Sequence, residues 1–163
     1  MLAALFVEAR KLNRSLAALL AIAAPSLIAV FVFFNMIRGK APAPWDMWMG
    51  SASAIWAFFM LPMSVTALTA LVAHMEHGPK SWDNLRALPL PRWKLYAAKA
   101  VCVLAVVAAM SALTLLMVWG AVTLAAVLKP ELTPTGPFDL AAYARTMGLM
   151  FLAGLLMIAL QLW

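Results

Sequence analysis

His74, Glu76 and His77 stand within four residues of one another. Histidines three apart share one face of a helix, and two imidazoles with a carboxylate make a donor set for zinc. The same side chains also suit a helix leaving an apolar medium for water. The spacing leaves a metal or catalytic role and a polar exit turn both open. Cys102 is the single cysteine, so no internal disulfide can form, and its setting is that of a small core residue. Ser111 and Thr114 can bond back to carbonyls of their own helix. There is no G-x-x-x-x-G-K-[ST] and no G-x-G-x-x-G. No catalytic residue, metal or cofactor is therefore expected, and the chain alone has no P-loop route to ATP hydrolysis.

The elements that must position these residues are membrane spans. The chain has 163 residues, of which 66% are hydrophobic and 11% charged, with mean hydropathy +0.96. A soluble domain carries about 25% charged residues. Too few polar groups remain to cover a water-facing surface. The expected fold class is an all-α integral membrane protein with four transmembrane helices. A span needs about 20 apolar residues. The apolar runs fall at 16–37, 51–73, 100–128 and 147–163. With polar flanks added, the helices are expected at 16–37, 51–73, 98–128 and 145–163, all in one transmembrane domain over 1–163. The third run is longer than a bilayer, so it must tilt or project. Pro25 and Pro62 are expected to kink their helices. The first run is too long for a signal h-region and reads as an uncleaved helix. None of the spans has an Asp, Glu, Lys or Arg in its middle, which lowers proton- and ion-coupled transport as a class.

Direction follows the Lys and Arg residues between spans. Eight lie in the N-terminal segment and the central loop, against four in the other connections. The N-terminus and residues 74–97 are thus expected in the cytoplasm. The other connections are proline-rich, and Trp45 and Trp48 suit an interfacial aromatic belt. In residues 1–14, Leu2, Leu5, Phe6, Ala9 and Leu12 recur at helical spacing opposite Glu8 and Lys11. A basic amphipathic helix in the membrane interface is expected there. The +6 net charge reads as anchoring to the membrane, not as nucleic-acid binding.

The central loop carries its own pattern. Gly78-Pro79 breaks the second helix, Ser81 can cap a new one, and Pro89 and Pro91 end it. Between them Trp82, Leu85 and Leu88 share one face, with Asp83, Asn84 and Arg86 away from it. A short amphipathic helix results. It can lie on lipid or dock a cytoplasmic protein, and composition does not separate the two.

A resemblance does. "MEHGPKSWDNLRALPLPRWKLYAAK" resembles the cytoplasmic loop of type 2 ABC exporter permeases, through Glu76, Trp82, Leu85, Leu88, Pro89, Arg92, Tyr96 and Lys99. "LFVEARKLNRS" is similar to that family's N-terminus through Glu8, Lys11 and Ser15. The branch it most resembles serves lantibiotic export or immunity and related bacteriocin or multidrug systems. The resemblance implies a permease subunit in a bacterial cytoplasmic (inner) membrane. Its coupling helix, with Glu76, Trp82, Leu85, Leu88, Pro89 and Arg92, would bind a cytoplasmic ABC ATPase subunit. A second permease subunit, as a homo- or heterodimer, would complete the path. Such permeases usually have six spans, so a fragment lacking the last two is expected. The rival from another class is a non-transporting membrane anchor or assembly subunit whose central loop binds a protein. A third is an intramembrane enzyme built on His74, Glu76 and His77. A P-loop ATPase encoded beside this chain would favour the permease.

Overall fold

The computed structural model describes residues 15–77 and 92–162, together with residues 6 and 10. Among these the chain is helical, and the only β pairing is an isolated parallel bridge between Pro44 and Thr135. Four helical spans are long and apolar enough to cross a membrane.

Two of the helices start at a side-chain cap, Ser15 and Asp139. The first, α1, covers Leu16–Arg38. The Ser15 hydroxyl accepts from the Ala17 N–H at 3.1 Å and caps it. Gly39 ends it, with its N–H donating to the Met36 carbonyl at 2.9 Å. The second span is made of two helices, α2 (Trp45–Ile55) and α3 (Leu61–His77), joined by one π turn at Trp56–Met60. Asp46 lies in the first turn of α2, where a carboxylate complements the helix dipole. The third span is α4, Arg92–Leu128, 37 residues without a break. The last is α5, Leu140–Leu162. Asp139 precedes it, and its Oδ1 accepts from the Ala142 N–H at 3.0 Å.

Three starts differ from the expected ones. The second span begins at Trp45, not at residue 51, and the fourth at Leu140, not at residue 145. Asp139 caps the extended start of α5, while α2 has no side-chain cap and starts after Pro44 with Asp46 in its first turn. The third helix also starts ahead of residue 98, at Arg92. At about 1.5 Å per residue α4 is about 55 Å long, against about 30 Å of hydrocarbon, so it projects well past the bilayer.

Contacts fix the directions. Ser26 faces Met117, and the Lys129 ammonium donates to the Ile37 carbonyl, so α1 and α4 run parallel. Asp46 meets Tyr143 and Thr69 meets Gln161, so α2–α3 runs parallel to α5. Residues 77 and 92 therefore lie at one end of the bundle, the near end. Residues 38, 45, 128 and 140 lie at the far end. The core is the seam along α4, where Val103, Val107, Met110, Thr114, Val118 and Val122 recur at three- and four-residue spacing and are all buried. Outward positions such as Leu27, Phe58, Leu116 and Leu156 are exposed and apolar, as a lipid-facing surface requires.

Candidate functional site

The near end carries the residues that the sequence singles out. Glu76 lies in the last turn of α3, and Arg92 opens α4. Their side chains, and all of Trp82, Leu85, Leu88 and Pro89, lie outside the described residues. So does most of the N-terminal amphipathic segment, of which Phe6 and Arg10 are helical and exposed. The segment between 77 and 92 is thus mounted at both ends on helices that continue into the bundle.

Two residues of the same motif are described on the first turns of α4. Tyr96 is half exposed, whereas Lys99 is only 8% exposed. The Lys99 ammonium sits 5.4 Å from the centroid of the Tyr96 ring, one helical turn back. A cation over an aromatic face is attracted by the ring's negative π cloud, and its aliphatic stem packs as a hydrophobe. Lys99 is thereby held where a lone ammonium would be costly. His74 is exposed near the end of α3. Among the described residues no group of three or more His, Cys, Asp or Glu could hold a metal ion. The side chains of Glu76 and His77 are not among them.

Away from the near end, buried hydroxyls bond to carbonyls of their own helices, while the buried Trp48 indole N–H has no hydrogen-bond partner among the described residues. Ser111 and Thr114 donate to the carbonyls of Val107 and Met110 at 3.0 and 2.9 Å, as the sequence led one to expect. Ser53 does the same to Met49 at 2.7 Å. Between helices at mid-bundle, the Trp56 indole N–H donates to the Ser111 Oγ at 3.2 Å, both buried, and the Ser26 hydroxyl donates to the Met117 sulfur at 3.6 Å. Cys102 is buried, a core residue of α4.

The far end is tied differently. The Tyr143 hydroxyl donates to Asp46 Oδ1 at 2.6 Å. Trp45 lies 4.8 Å from Phe138 between ring centroids, and Phe138 lies 5.4 Å from Tyr143. The Trp45 N–H donates to the Thr135 carbonyl and the Thr135 N–H to the Ala43 carbonyl. Trp48, expected in an interfacial belt, instead turns inward and is 9% exposed. The sequence reading missed this cluster. Asp46 and Tyr143 are 97 residues apart, and no spacing rule pairs residues so distant.

Four helices long and apolar enough to cross a membrane, with the central segment joined to two of them, describe a multi-pass membrane protein. The family model described as "ABC-2 family transporter protein" matches residues 4–163. The chain belongs to the ABC-2 transporter family. Among curated proteins and among solved structures, nothing matches it. As an ABC-2 protein it is a multi-pass membrane component of an ABC transporter. The match runs from before α1 to the end of α5, so both the central segment and the N-terminal segment fall within the family pattern.

Proposed function

We propose that this ABC-2 protein is the permease subunit of an ATP-driven exporter, worked by a separate ATPase through residues 74–97. The observation that carries the reading is the mounting of that segment. It joins two helices that both reach the near end, one of them about 25 Å longer than a bilayer needs. A push on it acts along rigid rods and reaches the core seam.

In this reading Trp82, Leu85 and Leu88 form the apolar face that enters a groove of the ATPase. Glu76, Pro89 and Arg92 rim it. An aromatic anchor in a pocket surrounded by polar contacts is the usual build of a binding hot spot. The N-terminus and the near end lie in the cytoplasm of a bacterial cell bounded by its inner membrane, following the Lys and Arg bias. A second permease copy or a paralogue supplies the other wall of the path. The substrates belong to the bacteriocin and multidrug class, as the loop's resemblance implies.

The test is co-purification of the ATPase encoded beside this chain. Trp82→Ala should weaken the complex by about 2 kcal/mol, roughly 30-fold. Asp83→Ala, on the polar side, should cost far less. Equal recovery of the ATPase by wild type and Trp82→Ala, at matched expression, would contradict the coupling role.

A further inference from the structure

The second span is the only span among the described residues that is interrupted by a π turn. At Trp56–Met60 the Leu61 N–H reaches back five residues to the Trp56 carbonyl. Pro62 follows directly and has no N–H to give, so the helical ladder loses another bond at the same level. Single π turns inside helices are frequent at functional sites, and sharp helix kinks fall at π turns and at prolines. The two halves on either side are fastened to different things. The outer half, α2, is tied to the far end by Asp46–Tyr143, by Trp45 against Phe138 and by the Pro44–Thr135 bridge. The inner half, α3, bonds through Thr66 and Thr69 to Gln161 at the near end of α5 and runs on into residues 78–91. At the joint itself Trp56 is fully buried and bonded to Ser111 of α4, while Phe58 beside it is 86% exposed. One point of the turn is therefore pinned and its other side is free.

We propose that the second span is a two-segment lever hinged at residues 56–60. The Trp56–Ser111 contact is the pivot, α2 is the fixed arm and α3 is the arm that moves with the central segment. The proposal rests on the coupling reading for what drives the arm, but the hinge is a property of the chain itself. The alternative, a straight 33-residue rod (Trp45–His77) that tilts as a unit, makes both ends move together. With a hinge, a bend of about 20° over the 17 residues of α3 displaces its end by about 9 Å, while the end of α2 stays in place.

Spin-label distances separate these cases. In a Cys102→Ala background, one pair is placed at the far end (Met47→Cys with Leu124→Cys) and one at the near end (His74→Cys with Val101→Cys). All four positions are exposed. In lipid nanodiscs, the chain alone should give a near-end distribution several ångström wider than the far-end one. Adding Pro62→Ala, which restores an N–H to the turn, should narrow the near-end distribution. Equal widths at both ends, or a near-end width that Pro62→Ala leaves unchanged, would overturn the hinge. With the ATPase and a non-hydrolysable nucleotide bound, the near-end mean should shift and the far-end mean should not; joint shifts would also overturn it. If the ATPase does not co-purify, the coupling reading fails, and the widths in the chain alone still decide the hinge.

Discussion

The two ends of this bundle are held by different kinds of contact. At the far end, side chain and backbone bonds cross between both connections and two helices: Asp46 to Tyr143, Ala43 and Trp45 to Thr135, Lys129 to Ile37. At the near end, Thr69 donates to Gln161 and Gln161 donates to Thr66, joining α3 to α5, and α4 is far longer than a bilayer needs. The far-end ties join the two connections to the helices they link, and the near-end ties join α3 to α5 beside the central segment. In the proposed coupling, force entering through residues 74–97 would act on α3 and α4 at the near end, away from the far-end ties.

The comparison can be broken at mid-bundle first, where the largest effect is expected. Ser111→Ala leaves the buried Trp56 indole N–H without an acceptor, which should cost about 2 kcal/mol in thermal or denaturant unfolding in detergent. Trp56→Phe together with Ser111→Ala removes both polar partners and should recover part of that loss. If the single and double variants are equally unstable, the bond is not what holds the joint.

Next comes the far-end tie. Asp46→Ala should cost about 1 kcal/mol, less than a fully buried charged bond because Asp46 is largely exposed. Asp46→Asn keeps an acceptor and should cost less than Asp46→Ala. Neither should change recovery of the ATPase; a drop in recovery would show that the far end is not independent of coupling. Gln161→Ala, at the near end, should cost about 0.6 kcal/mol, the average for a bond between membrane helices.

The smallest effects are at two glycines of α5. A Cβ on Gly154 would lie 3.2 Å from a Leu61 methyl, which can give way, so Gly154→Ala should be close to neutral. Gly148 has nothing within 4 Å of that position. Gly148→Ala should raise stability by a few tenths of a kcal/mol through helix propensity. A clear loss at Gly148 would point to a partner packed on that face.

The span order was legible because each span is an apolar run broken by charge or proline. The starts of α2 and α5 were not, because Pro44 and Asp46 before the second apolar run and Asp139 before the fourth read as loop residues, and only the structure shows the helices beginning there. The buried stripe of α4 was also hidden. Val107 and Val118 face the core, while Val101 and Leu116 face outward, and all four are apolar. Lipid is as greasy as a protein core, so periodicity carries no contrast there. "WAFFM" looks like any apolar stretch, and only its hydrogen bonds reveal the π turn. Of the six residues proposed for coupling, Glu76 and Arg92 are described only as backbone, in the last turn of α3 and at the start of α4. Trp82, Leu85, Leu88 and Pro89 rest on the resemblance and on the helical spacing alone.

The most direct measurement is ATP hydrolysis by the complex with one end of the bundle clamped. In a Cys102→Ala background, a short bis-thiol reagent bridges either Asp46→Cys with Tyr143→Cys at the far end or Thr69→Cys with Gln161→Cys at the near end. Both pairs are in hydrogen-bond contact in the native chain. The far-end bridge should leave ATP turnover as it is in the unbridged complex. The near-end bridge should suppress it, because the arm that follows the ATPase can no longer move. Suppression by the far-end bridge alone, or no suppression by the near-end bridge, would contradict the account.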